Sequence, residues 1–492
     1  MNKKRLLAAA LLLSMPLLSG CSSMVSERAI EDISALMIEA GAEVPMEDEF
    51  ADETRRVTLY TLSDNRETLV PVVREITCVN GKSIAQAALD ALLDTLHLEE
   101  VASGKPATVA LSSEIATVNL PARYRVLEPQ VLFAVRQAVA NTLGGLSGIS
   151  YCQVLVGGRE EGLDLGATTP VGTLTRAADL DVRALYNRLD DQRLAGTGYT
   201  RLMTLYVPTA DGRWLLPAVR TVAFSAGAAP IDCLYAALEQ LGSMAPDSTT
   251  AQDMPAPMDY IEEMPDILKE GSETVIEIRF NGELTRALAD SGLTLGIYAG
   301  MLTHTLMGIV PGADGIRLIV EGKEIGGFAS EDMPSGQAMQ LEGSLAVYAD
   351  FAGMIGAPVT LYRGNGEGGL IRSMAVLASS EAENPRAVLE AWMEQNGYAK
   401  SDVLAVSTDE KNVIVHLSAS LGKALEGMDD VQVRTAVYAM VNTLTQGRAQ
   451  QGVIFFFDGK QLGELAGGLS MRGRLVRNPG MVVESDGSMG VF

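Results

Sequence analysis

One block of sequence occurs three times in this chain. Its copies open with Val57-Thr58-Leu59-Tyr60, Met203-Thr204-Leu205-Tyr206 and Val359-Thr360-Leu361-Tyr362. Late in each comes a triplet: Asn141-Thr142-Leu143, His304-Thr305-Leu306 and Asn442-Thr443-Leu444. An apolar run then ends in a glycine turn, at Val156-Gly157-Gly158, Glu321-Gly322-Lys323 and Asp458-Gly459-Lys460. The three tyrosines stand 146 and 156 positions apart, which is the spacing of whole domains and not of solenoid units. With 492 residues, 47% of them hydrophobic, the chain has material for about three cores. It reads as an array of three similar modules.

Within each copy the order of elements is the same. Two extended runs come first: Val57–Leu62 with Leu69–Ile76, Leu202–Val207 with Leu215–Phe224, and Val359–Tyr362 with Leu370–Leu377, joined by polar or glycine-rich turns. A helix follows, started by Ser83 with Gln86 in the first copy, and by Pro230 and Asn384-Pro385 in the others. Strands ending in Val118-Asn119-Leu120, Ile278-Arg279-Phe280 and Val415-His416-Leu417 come next. A second helix carries Val433, Val437, Met440, Val441 and Leu444, matched by Leu295, Ala299, Leu302, Thr303 and Leu306. In the first copy the stripe is Leu132, Arg136, Val139, Ala140 and Leu143, with Arg136 as an interruption. A last apolar strand such as Val453–Phe457 is continuous enough to be central in a sheet.

The expected fold is α+β: three tandem two-layer sandwich modules of order ββαββαβ, each a mainly antiparallel sheet with two helices on one face. The modules are placed at 55–176, 199–348 and 349–480, with a helical linker at 177–198 and a tail at 481–492. The stretch 242–271, with Pro246, Pro255, Pro257 and Pro265 among acids, reads as an insertion and a mobile surface loop.

The first residues point to export. Lys3, Lys4 and Arg5 precede an apolar run from Leu6 to Leu18, too short for the roughly 20 residues that span a bilayer. Leu18-Ser19-Gly20-Cys21 resembles a bacterial lipobox, in which Cys21 is lipidated and becomes the first residue after removal of 1–20. An ordinary secretory signal is the alternative. Residues 21–54 then form an acidic, lipidated tether in which Glu27 to Ala40 has the pattern of a short helix. Without Lys3, Lys4 and Arg5 the balance is 35 basic against 62 acidic residues, a formal charge of −27. Such a surface repels nucleic acid and anionic headgroups, which leaves the lipid as the anchor. Cys78, Cys152 and Cys233 are too few for a disulfide scaffold and read as buried thiols, with a Cys78–Cys152 pair open if their strands are neighbours.

Catalytic groups are hard to assemble. His304 stands where the other copies have Asn141 and Asn442, and His416 where the first has Asn119, so both read as polar surface or helix-end residues; His97 has no partner spacing. The acid pairs Glu99-Glu100, Glu160-Glu161 and Glu262-Glu263 read as solvated faces, and Asp429-Asp430 as a helix cap. Gly364, Gly366 and Gly369 satisfy a phosphate-loop pattern, but lie between two strands and read as a hairpin loop. No catalytic, metal or cofactor residues and no small-molecule substrate are expected.

The array resembles the GerMN domain of bacterial sporulation and germination lipoproteins. The carrying residues are Thr58-Leu59-Tyr60 with Leu69-Val70-Pro71-Val72-Val73-Arg74, Leu216-Pro217-Ala218-Val219-Arg220, Val441-Asn442-Thr443-Leu444 and Phe457-Asp458-Gly459-Lys460. The third copy has Leu370-Ile371-Arg372 without the proline, and the chain has three copies where a typical member has two. The resemblance implies modules similar to ring-building motifs and a lipoprotein on the outer face of the cytoplasmic membrane. Tandem copies without catalytic groups lead to the expectation of a scaffold for an envelope complex in sporulation or germination, through protein partners or self-association. Alternatives are an accessory of a membrane sensor kinase and a cell-wall enzyme.

Overall fold

The computed structural model describes residues 47–483, except 80, 81, 102, 103, 165, 167, 195, 246–248, 252 and 449. The lipobox Leu18-Ser19-Gly20-Cys21, the tether up to Met46 and the tail from Glu484 lie outside the described residues.

The first module begins with strands β1 (Glu53–Leu62) and β2 (Leu69–Cys78), then helix α1 (Ile84–Thr95). Strands β3 (Thr108–Ser112) and β4 (Ile115–Leu120), helix α2 (Pro129–Leu143) and strand β5 (Tyr151–Val156) complete it. Ser83 caps α1 by accepting from the Gln86 amide at 3.1 Å. The Gln86 side chain does not close a capping box. It reaches strand β3 instead, donating to Ala107 O and accepting from the Val109 amide.

After helix α3 (Val182–Leu194), the second module begins in the same order with β6 (Tyr199–Pro208), β7 (Leu215–Phe224), α4 (Pro230–Gly242), β8 (Ile261–Glu270) and β9 (Glu273–Phe280), but here and in the third module two helices, not the expected one, precede the next strand. Helices α5 (Glu283–Asp290) and α6 (Leu295–Met307) and strand β10 (Gly315–Val320) follow. The third has β11 (Gly356–Gly364), β12 (Leu370–Ala378), α7 (Pro385–Gln395), β13 (Val403–Thr408) and β14 (Asn412–Leu417). Helices α8 (Ala419–Glu426) and α9 (Asp430–Thr445) and strand β15 (Gly452–Phe457) follow, and a short strand at Leu475–Val476 then pairs with β15.

Antiparallel pairs dominate, as expected, but every module splits its strands between two main sheets, beside which the second and third carry a further two-stranded ribbon. One is the hairpin, in register Leu59 to Val72 in the first copy. The other is a three-strand sheet in which β3 runs antiparallel to β4, and β4 runs parallel to β5, Ala116 facing Cys152. The same parallel pair recurs as β9 with β10 and β14 with β15. A parallel pair needs a crossover, and the second helix supplies it. Each module has its own core, so one cluster of buried side chains belongs to each copy.

The stretch 242–271 departs from the expected loop. Its second half is strand β8, paired with β9 through two register shifts that flank Glu263. Its acids and Pro265 hide it, yet β8 is the edge of its sheet, where proline and charge are tolerated. The first half is fastened too: Ala210 N–H donates to Thr249 O, and Tyr298 Oη to Pro255 O.

The modules share surfaces. The segment from Asp48 to Ala51 adds to the outer edge of β13: Ala51 N–H donates to Thr408 O at 3.2 Å, and Thr408 N–H to Glu49 O at 2.8 Å. Asp48 accepts from the Val406 amide and from Arg386. Leu215 of the second module bridges to Ile355, at the entry to the third.

Candidate functional site

The two repeated motifs meet. The amide of Tyr60 donates to Thr142 Oγ1, that of Tyr206 to Thr305 Oγ1, and that of Tyr362 to Thr443 Oγ1, each at 3.0 Å. Threonine at the end of the crossover helix thus satisfies a strand amide that no neighbouring strand reaches. This contact explains why the hairpin and the three-strand sheet stay separate. All three threonines are buried.

The triplet's first residue does a second job. Asn141 accepts from the Ala177 amide at 2.9 Å and donates to Ala177 O at 3.0 Å. Asn442 treats Asn478 identically, at 2.9 and 3.0 Å. The residue before each clamped position is an arginine that reaches the module's tyrosine: Arg176 donates to Tyr60 Oη at 2.7 Å and Arg477 to Tyr362 Oη at 3.2 Å. The chain leaving the module is thereby tied down beside the hairpin.

The middle copy differs. His304 makes no such clamp; it is fully buried, with its ring 5.0 Å from that of Tyr206 and 4.6 Å from that of Tyr348. Of the two expected placements the helix end holds, since His304 lies in the last turn of α6, and the surface does not, because that end is covered by the Tyr348–Phe351 turn. Burial lowers its pKa to about 4, against a small opposing effect of the Phe351 backbone. Neither ring nitrogen has a hydrogen bond of good geometry among the described residues.

Freed from an arginine, the Tyr206 hydroxyl crosses into the first module. It lies 3.0 Å from Thr117 Oγ1 and donates to Gln153 Oε1 at 2.9 Å. Thr117 and Gln153 sit opposite each other on β4 and β5, on the face away from that module's helices, and Leu155 beside them joins the second module's core. Strand β5 is buried on both faces for this reason.

Glu160 pins the same junction. Its amide donates to Met307 O and its carbonyl accepts from Gly312, both in the second module. Its side chain, 1% exposed, accepts from Arg136 of α2 at 3.1 Å and from the Val171 amide at 3.0 Å. Glu160 is therefore no solvated acid, and Arg136 interrupts the apolar stripe to pair with it. Burial pushes the Glu160 carboxyl up, while Arg136 and the Val171 amide oppose that shift. Around this pair, Arg159 donates to Glu161 at 2.6 Å and pairs with Asp314.

The other candidates fall into place singly. His416 is buried and stacked on Phe456 at 5.0 Å, not on the surface. Glu100 pairs with Arg66 at 2.6 Å, and Glu263 with Arg279 at 3.4 Å. Asp429 caps α9, accepting from the Val431 and Gln432 amides. Asn365 folds the Gly364–Gly369 stretch into a hairpin turn, accepting from the Glu367 and Gly369 amides. Cys78, Cys152 and Cys233 are buried free thiols, and burial pushes the last two up to about 12. Among the described residues no three His, Cys, Asp or Glu side chains stand together as metal ligands, and no helix is long and apolar enough to cross a membrane.

The family model described as Germane: Sporulation and spore germination matches residues 58–162 and 360–463. In these two segments the chain is similar to the Germane family. Its matched segments are the first and third copies, those with the Asn clamp. The clamped residues Ala177 and Asn478 lie beyond the ends of the matches, so each matched segment is closed by chain that follows it. The protein is similar to the tandem GerMN domains of the sporulation protein GerM from Bacillus subtilis, with 13% identity over 57% of this chain and 99% of that one, and a TM-score of 0.22. A comparison with the curated proteins gives no match.

Proposed function

We propose that this protein is a lipid-anchored scaffold in the cell envelope, acting in sporulation or germination by holding protein partners together and not by catalysis. One observation carries the reading: the polar side chains that recur in the copies are spent on internal anchoring. Thr142, Thr305 and Thr443 hold strand amides, and Asn141 and Asn442 hold the departing chain. The family's description supplies the process. The Tyr206 hydroxyl, whose partner differs from those of Tyr60 and Tyr362, and Glu160 of the first copy lock the first module to the second, which suits a body that presents fixed surfaces to partners. Cys21 supplies the attachment in this reading. The test is crosslinking in sporulating cells followed by purification through the chain. An envelope protein captured by the intact chain, and lost with Cys21→Ala, is expected; a chain that stays monomeric and uncrosslinked overturns the proposal.

A further inference from the structure

The first two copies place an arginine five residues before the motif tyrosine, Arg55 before Tyr60 and Arg201 before Tyr206. On β1, Arg55 pairs with Glu53, two residues earlier, at a partly exposed site. On β6 the place of Glu53 is taken by Tyr199, and Arg201 is only 6% exposed. The third copy has Ala357 at this position. The second copy thus keeps the cation, buries it and drops the acid.

No described residue replaces that acid. The Arg201 guanidinium lies over the Tyr199 ring, 4.7 Å from its centroid. Nη1 donates to Gln192 Oε1 at 2.8 Å and to Thr200 O at 3.0 Å, and Nη2 donates to Leu189 O at 3.4 Å. All three acceptors are neutral, and Nε has no hydrogen-bond partner among the described residues. Of the five N–H groups of a guanidinium, the Nε–H and one on Nη2 therefore stay open. These two nitrogens share the edge that takes both oxygens of a carboxylate. Burial without a counter-charge lowers the Arg201 pKa, while the hydrogen bond to Glu53 raises that of Arg55. A charge buried in this way is costly unless an opposite charge reaches it.

There is room for one. Arg201 lines a cavity of about 490 Å³ between α2, α3, the chain leaving the first module and the start of β6, a size typical of small-ligand sites. Phe133, Leu174, Leu185 and Leu189 give it apolar walls. Its lining holds a single acid, Asp179, which pairs with Arg188 at 3.1 Å, and both are about half exposed. The cavity is thus apolar at its sides and carries one uncompensated positive charge.

We propose that this cavity binds a small organic carboxylate, its two oxygens on the open edge of Arg201 and its hydrocarbon arm against Phe133, Leu174 and Leu189. The apolar walls favour such a ligand over inorganic phosphate. Because the walls come from the first module, the linker helix and the second module, the ligand bridges the junction that Tyr206 and Glu160 hold. The inference is independent of the scaffold reading, since it requires only that this junction be folded.

The test is calorimetric titration of the full chain, in non-ionic detergent, with phenylacetate, phenylacetamide and inorganic phosphate. Phenylacetate is expected to bind once per chain with a Kd of about 1 mM or lower, and the uncharged amide and phosphate about tenfold more weakly or less. Arg201→Gln is expected to weaken phenylacetate about tenfold. Thr200→Trp alters an exposed residue of the lining, fills the cavity without entering a core, and is expected to weaken it as much. That variant decides the matter if Arg201→Gln unfolds. Equal binding of acid and amide, phosphate binding as tight as phenylacetate, affinity unchanged by Thr200→Trp, or no saturable binding of phenylacetate below about 10 mM overturns the proposal.

Discussion

The hydroxyl of Tyr206 donates to Gln153 Oε1 at 2.9 Å, across the boundary between the first and second modules. The corresponding hydroxyls of Tyr60 and Tyr362 stay at home, with Arg176 and with Gln446. One position of a repeated motif thus serves two ends, and the partner offered to it decides which. Tyr206→Phe leaves Gln153 buried with no partner for its oxygen, at a cost of about 1–3 kcal/mol. Hydrogen exchange should rise in β5 and β6 together. Tyr362→Phe should disturb the third module alone.

The threonine anchors are testable as a set. Thr142→Val, Thr305→Val and Thr443→Val keep the side-chain shape and strand the amides of Tyr60, Tyr206 and Tyr362. Each should cost about 1–3 kcal/mol in denaturant unfolding, and the separate sites should add. Thr303→Val is the control. Its hydroxyl bonds only to Ala299 O of its own helix, so its loss should cost clearly less.

Breaking the Arg136–Glu160 pair from one side should be severe. Arg136→Met leaves a buried carboxylate whose backbone is tied to Met307 and Gly312, and about 3–5 kcal/mol should be lost. Adding Glu160→Leu removes the stranded charge and should restore most of that stability, as measured by urea titration.

Burial holds His304 neutral, with a folded pKa of about 4 against 6.5 for the free side chain. A lowered folded value means that the unfolded chain binds the proton first. The stability is therefore complete above pH 6.5 and is lost as pH falls from 6.5 toward 4, by as much as about 3 kcal/mol. His416 is shifted in the same direction. His304→Asn should flatten the stability profile in that window relative to wild type, and an unaltered slope would exclude His304 as its source.

Much of the fold was legible because the chain repeats itself. The five strands and two shared helices of ββαββαβ, the caps at Ser83, Asn384 and Asp429, and the Asn365 hairpin turn follow from local pattern, whereas the added short helices α5 and α8 went unread. The Thr–Tyr anchor was visible only as two motifs, since nothing local says that residues 82 positions apart share a hydrogen bond. Glu160 looks like a surface residue in isolation and Arg136 like a break in an apolar stripe, and a pair formed across 24 positions leaves no local mark on either. Strand β8 was obscured by acids and Pro265, which an edge position permits. The burial of His304 and His416 was missed because burial in the folded chain leaves no mark on the residues themselves.

The most direct measurement of the scaffold reading is the native mass of the chain solubilised by mild detergent from envelopes of sporulating cells. The expected result is a defined complex with at least one other envelope protein, reduced to the free chain when Cys21→Ala removes the anchor. A wild-type chain that elutes only at its own mass, with no associated protein, would contradict it.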